Sequence, residues 1–268
     1  MKTVLITGST DGIGKQTALE LARRGWRVFL HGRNLRRGEE ARREILRQVP
    51  QADITCLNAD FSSLEEVRQL ARVVLSLTPR LDALVNNAGV FLHQRLLSRD
   101  GFEMNFAVNH LAHFLLTNLL LGLLQSSAPA RVVTVSSVMH RNGRLNLEDL
   151  QMEQGYTGSR AYAASKLMNV LFAAELARRM EGKGVTSNSL HPGVVATKML
   201  REAFPSLQGS SLEEGAATSV FLVTAPDLEG VTGKYFEHGQ MASCHPLAED
   251  REVCAQLWDI SARLSGLI

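Results

Sequence analysis

A chain of 268 residues, 45% hydrophobic and 21% charged, is long enough for one sizeable core and ordinary for a soluble α/β domain. Its formal net charge of +2 argues against a nucleic-acid surface, and its most basic run, Arg33 to Arg47, is interleaved with Glu39, Glu40 and Glu44 as a solvated helix face would be. Cys56, Cys244 and Cys254 stand far apart without a C-x-x-C pair, and the histidines lack ligand spacing, which argues against a disulfide framework or metal site and for a reducing, cytoplasmic setting.

Met1 and Lys2 lead directly into an apolar strand, Val4–Thr7, with no signal-peptide pattern. Further short apolar runs predict strands at Val28–His31, Ile54–Leu57, Ala83–Asn86, Arg131–Val135, Thr186–Leu190 and Lys234–Phe236. Helical patterns between them predict helices at Gly14–Arg24, Arg36–Gln48, Ser63–Leu77, Met104–Gln125, Tyr162–Met180, Leu212–Thr224 and Asp250–Leu264. Met104–Leu124 has membrane length and no formal charge. It also carries Asn105, Asn109, His110, His113, Thr117 and Asn118, so a helix buried against a sheet is expected rather than an anchor. No repeat or linker divides residues 1–268. The alternation predicts a single α/β domain, a doubly wound parallel sheet of about seven strands with helices on both faces.

The turn after the first strand reads Thr7-Gly8-Ser9-Thr10-Asp11-Gly12-Ile13-Gly14. Gly8 suits a tight turn, Gly12 lets the main chain approach a pyrophosphate, and Gly14 allows close helix packing; the helix N-terminus offers N–H groups to phosphate. The second strand ends in His31-Gly32-Arg33-Asn34. An acid there would bind the ribose 2′-hydroxyl of NAD, whereas Arg33 suits the 2′-phosphate of NADP. Asp11 in the loop leaves use of NAD beside NADP open. At the start of a later helix, Tyr162 and Lys166 stand one turn apart on a shared face. An ammonium near a phenol favours the phenolate and would tune it for proton transfer.

These motifs, with Asn86-Asn87-Ala88-Gly89, Ser137 and His191-Pro192-Gly193, resemble the short-chain dehydrogenase/reductase family over nearly the whole chain. Gly233-Lys234-Tyr235-Phe236, Leu257-Trp258 and Ser261 resemble its retinol-dehydrogenase-like branch, as does the 24-residue separation of Ser137 from Tyr162. The resemblance implies a hydride transferred between NADP(H) and a carbonyl/alcohol pair. Ser137 would steady the substrate oxygen, Tyr162 would exchange its proton, Lys166 would hold the ribose hydroxyls, and Asn109 would break its helix and relay protons. It further implies cofactor contacts from Gly8, Ser9, Asp11, Gly12, Ile13 and Gly14, from Asp60 and Phe61 near the adenine, and from Asn87, Ala88 and Gly89 beside the adenosine. Pro192 and Gly193, the Val195 backbone and the Thr197 hydroxyl would hold the nicotinamide end.

A nucleotide sensor of the same fold, a C=C reductase and an epimerase remain alternatives. Phe91, Leu92, Met139, Tyr156, Met199, Leu200 and Phe204 read equally as lining for a lipophilic aldehyde or ketone and as ordinary packing. Lys198–Ser211 is expected to form a substrate lid, the alternative being a short amphipathic helix that covers the sheet edge. The apolar helices Met104–Gln125 and Tyr162–Met180, which pair subunits in many members of the family, make a homodimer or tetramer the expected assembly.

Overall fold

The computed structural model describes residues 1–268. Seven parallel strands form the sheet: β1 (Thr3–Ile6), β2 (Arg27–Gly32), β3 (Ile54–Asn58), β4 (Ala83–Asn86), β5 (Ala130–Val135), β6 (Val185–His191) and β7 (Tyr235–Glu237). An eighth, β8 (Gln240–Met241), pairs antiparallel with β7 at one edge. The sequence reading missed it because only His238 and Gly239 connect the two, both with positive φ, as a two-residue hairpin turn requires.

Alternation along buried strands sorts the core into two layers. Leu5 and Phe29 face α3 (Leu64–Leu77), α4 (Ala112–Ser126) and α5 (Gly158–Arg179). Val4, Ile6, Val28 and Leu30 face α1 (Gly12–Arg23), α2 (Leu35–Gln48) and α7 (Leu212–Thr224). Strand order 3-2-1-4-5-6-7-8 reverses direction between β1 and β4. That reversal opens a crevice beyond the carboxyl ends of the strands, where such sheets bind ligands.

Two helices differ from expectation in ways that matter for the site. α5 begins at Gly158, because Thr157 caps it by accepting from the Arg160 amide. Tyr162 therefore sits beyond the first turn rather than at its start. The long apolar helix opens with a π-helical turn, Phe106–Leu111, before α4. Its segment Phe106–Ser126 is apolar and long enough to cross a membrane, but 72% of its most apolar window is buried in the fold.

α8 (Arg251–Leu264) lies across α4 and α5. Trp258 stacks on Phe172 at 5.8 Å and meets Phe114 edge-on at 4.8 Å, while the Arg179 guanidinium covers its other side. From Ala161 to Ala177 every residue of α5 is buried within the single chain. Of the two helices on which a dimer was expected, α5 is thus already covered while α4 keeps Leu119, Leu121 and Leu123 half-buried, and the isolated chain is expected to run as a monomer. Light scattering at micromolar concentration checks this; a stable dimer mass would require a different interface.

Candidate active site

The glycine turn is built by steric necessity. Gly8 has φ +62°, and a Cβ there would lie 2.7 Å from Ala88 Cα. A Cβ on Gly14 would lie 2.4 Å from the Gly8 carbonyl oxygen and 2.5 Å from Asn87 Nδ2, so α1 packs directly on the loop. At Gly12, by contrast, a Cβ would meet only Thr197 Cγ2 at 3.6 Å, and at Gly193 nothing within 4 Å. Gly12 thus borders an open cradle at the N-terminus of α1, beside the unpaired amides of its first turn, including that of Ile13, and Gly193 likewise faces open space. A pyrophosphate-bearing dinucleotide fits that donor set.

Two expected cofactor contacts also brace the loop from within. Ser9 is fully buried; its hydroxyl donates to the Ile6 carbonyl at 2.7 Å and accepts from the His31 amide at 2.9 Å, joining β1 to β2. Asn87 Nδ2 donates to the carbonyls of Thr7 and Gly8 at 2.8 and 3.1 Å. Both side chains face inward because loop backbone groups, once buried, must find partners. The Asn87 and Ala88 amides both donate to Thr7 Oγ1 at 2.9 Å.

Arg33 is exposed at the end of β2 and makes no ion pair or hydrogen bond within the chain. One turn into α2, Arg37 donates to Asp11 at 3.0 Å, while Asp11 also accepts from the Gly12 amide. Asp11 therefore answers a second arginine that the sequence reading had passed over as part of a solvated face. Asp60 accepts from the Ser62 amide at 2.9 Å and lies 3.5 Å from Arg99. Phe61 is buried, stacked on His31 at 4.4 Å. His31 accepts from the Gly8 amide, and burial pulls its pKa down to about 4, which keeps that acceptor unprotonated.

At the ends of β5 and α5 the candidate catalytic groups converge. Ser136 donates to the Lys166 carbonyl at 2.7 Å, pinning α5 to the sheet, while Ser137 caps the turn Val138–Asn142 and faces Tyr162. Lys166 is buried, its Nζ donating to the Val135 carbonyl at 3.0 Å and lying 5.6 Å from the centroid of the Tyr162 ring. Gly89 is the close neighbour on the other side: a Cβ there would be 3.5 Å from Lys166 Nζ and 3.4 Å from Asn109 Oδ1.

Charge tuning runs against the sequence expectation. Burial pushes the Tyr162 phenol up to about 12, with only the Ser137 hydroxyl pulling it back, and burial alone pulls Lys166 down to about 8. The ammonium is directed at a carbonyl rather than at the phenol oxygen, so desolvation wins.

Asn109 lies in the π turn and clamps Val90 with both ends of its amide, at 2.8 and 3.0 Å, donating also to Ser165 Oγ at 2.9 Å. Its carbonyl meets His113 Nδ1 at 2.9 Å, and His113 Nε2 meets Thr7 Oγ1 at 2.9 Å. Thr7 Oγ1 already accepts two amides, so it donates to Nε2 and leaves the imidazole proton on Nδ1. His113, read from sequence as an ordinary helix-face residue, thereby ties Asn109 to the glycine loop. Only its burial in an apolar helix could have hinted at that.

Phe91 roofs the site, 5.3 Å from Tyr162 and 5.1 Å from Phe204. Phe204 follows α6 (Lys198–Ala203), a short helix capped by Thr197 in which no residue is buried. Met199 also reaches the site, its Cε 3.9 Å from the Cβ position of Gly89. Val195 is buried, and residues 194–196 bridge to Ser210, so both ends of the expected lid are tied. Of the expected pocket residues, Tyr156 is instead committed to a polar cluster, its hydroxyl donating to the Leu92 carbonyl and accepting from Asn105. If residues 198–211 form a lid, their amides exchange rapidly in the free protein and slow when cofactor and a substrate analogue bind. Strong protection in both states would make the segment a fixed cover.

Comparison with known proteins follows this geometry. The family model for short chain dehydrogenase matches residues 2–208. Retinol dehydrogenase 14 of Mus musculus is 45% identical, covering 100% of this chain and 86% of its own. Retinol dehydrogenase 13 of Homo sapiens is 42% identical, covering 99% of this chain and 85% of its own. Among solved structures, a short chain dehydrogenase from Escherichia coli complexed with NADPH superposes with TM-score 0.74 at 27% identity, covering 89% of this chain and 97% of that one.

Proposed function

The chain belongs to the short chain dehydrogenase family, in its retinol-dehydrogenase-like branch, and from that premise we propose that it exchanges hydride between NADP(H) and a lipophilic aldehyde, ketone or the matching alcohol. Membership makes it an oxidoreductase of CH–OH and C=O groups with a nicotinamide dinucleotide as cofactor. The observation that carries the finer reading is Tyr162 and Lys166 buried together beside Ser137, beneath the Phe91–Phe204 roof. Preference for NADP is supported by Arg33, whose guanidinium is uncommitted, and by the absence of an acid at the end of β2.

When bound, the nicotinamide supplies or accepts the hydride. Ser137 holds the substrate oxygen by its hydroxyl. Tyr162 Oη gives its proton to that oxygen in reduction and takes it back in oxidation. Lys166 would hold the ribose hydroxyls, Thr197 and the Val195 backbone would hold the carboxamide, and the π turn at Asn109 would return protons to Lys166. Asp60 and the backbone of residues 87–89 hold the adenosine end. Unpaired Cys56, Cys244 and Cys254 support a cytoplasmic setting.

A panel of aldehydes and ketones, retinal among them, incubated with NADPH tests the reading by loss of the reduced nicotinamide's near-ultraviolet absorbance. Turnover of activated C=C compounds without any carbonyl turnover would favour the runner-up reaction. The pH dependence follows from Tyr162. With its pKa near 12, the acid form persists through neutral pH, so reduction shows no fall from this group, while oxidation climbs as pH rises. Rates measured in both directions check this; a reduction limb falling near pH 7 would mean that bound cofactor brings the phenol down.

A further inference from the structure

The turn Val138–Asn142 that follows Ser137 contains a fully buried histidine, His140, that the mechanism above does not use. The His245 amide donates to His140 Nε2 at 3.2 Å, so that nitrogen carries no proton. The proton is on Nδ1, which donates to the Ser137 carbonyl at 2.6 Å. Burial lowers the ring's basicity and keeps this neutral tautomer in place. Tyr235 of β7 packs on the imidazole at 4.6 Å and donates its hydroxyl to Glu237. Arg141 pairs with Glu237 at 3.0 Å and donates to the Ser243 carbonyl at 3.1 Å. Tyr235, Glu237, Ser243 and His245 lie beyond residue 208, outside the segment matched by the family model.

We propose that His140 is a positioning residue: its imidazole, oriented by the C-terminal segment Tyr235–His245, holds the Ser137 carbonyl through Nδ1–H and so fixes where the serine hydroxyl meets the substrate oxygen. The carbonyl of Ser137 accepts from both the amide and the imidazole of His140. With its carbonyl held by both donors, the serine main chain cannot turn without breaking the bond to the imidazole. Misplacement of a reacting group by about 1 Å is enough to cost on the order of 100-fold in rate.

The inference rests on the role assigned to Ser137, and the test separates the two. Asn carries its amide nitrogen as many bonds from the backbone as Nδ1, whereas Gln carries its amide nitrogen at the distance of Nε2. His140→Asn is therefore expected to keep kcat within about 3-fold, and His140→Gln to lose about 10- to 100-fold in kcat with NADPH affinity unchanged. In a Ser137→Ala background, His140→Gln is expected to cost nothing further, since two residues acting as a unit are not additive. Unchanged kcat in His140→Gln would overturn the proposal. So would equal losses in the Asn and Gln variants, or a full additional loss on top of Ser137→Ala. Normal activity in Ser137→Ala alone would instead remove the serine's assigned role.

Discussion

Tyr162→Phe is expected to lower kcat by about 100-fold or more while leaving NADPH binding nearly unchanged. The substitution removes one hydroxyl from a ring held between Phe91 and the ammonium of Lys166, so the apolar packing survives. What disappears is the proton exchanged with the substrate oxygen, and a positioned acid–base group contributes roughly 10²–10⁴-fold. Lys166→Ala is expected to lose turnover to a similar degree. The Val135 carbonyl retains Asn169 Nδ2 as a donor at 3.2 Å, so the truncation leaves no orphaned acceptor in the core. Single-turnover kinetics with a carbonyl substrate, beside NADPH titration by fluorescence, separates chemistry from binding. Near-normal turnover in either variant would sink the catalytic assignment.

Arg33→Ala is expected to weaken NADP by about 10- to 100-fold and to leave NAD unaffected. A charge-assisted bond to phosphate is worth roughly 1.5–3 kcal/mol, which converts to that range. The experiment is clean because Arg33 has no internal partner, so its removal breaks nothing else in the fold. Arg37 differs in this respect, since it is held by Asp11 across an exposed pair that contributes little to stability. Asp11→Asn releases Arg37 beside the same phosphate position and is expected to raise NADP affinity. Equal weakening of NAD and NADP by Arg33→Ala would show that this residue does not read the 2′-phosphate.

The seven parallel strands were legible because each is a short apolar run bounded by turn residues, a local signal. Gly14 was legible too, since its expected role in close helix packing matches the 2.4 Å approach to the Gly8 carbonyl. The helix break at Asn109, expected from the resemblance, is present as a π turn. The edge strand β8 escaped because two residues carry too little periodicity to register. The internal bonds of Ser9, Asn87 and Tyr156 were not legible, because their partners come from other segments. Sequence identifies a polar group, not the partner that consumes it.

What the chain determines by itself is whatever rests on neighbours in sequence: the strand runs, the glycines of the first turn, the one-turn spacing of Tyr162 and Lys166. Tertiary structure alone decided the rest. The bond between Thr7 and His113 spans 106 positions, that between His140 and His245 spans 105, and no local pattern encodes either. The same holds for the direction of charge tuning at Tyr162. A lysine four residues away predicts a lowered pKa, but desolvation depends on every atom that packs around the phenol. Here that burial outweighs the ammonium, because the fold aims Lys166 at the Val135 carbonyl.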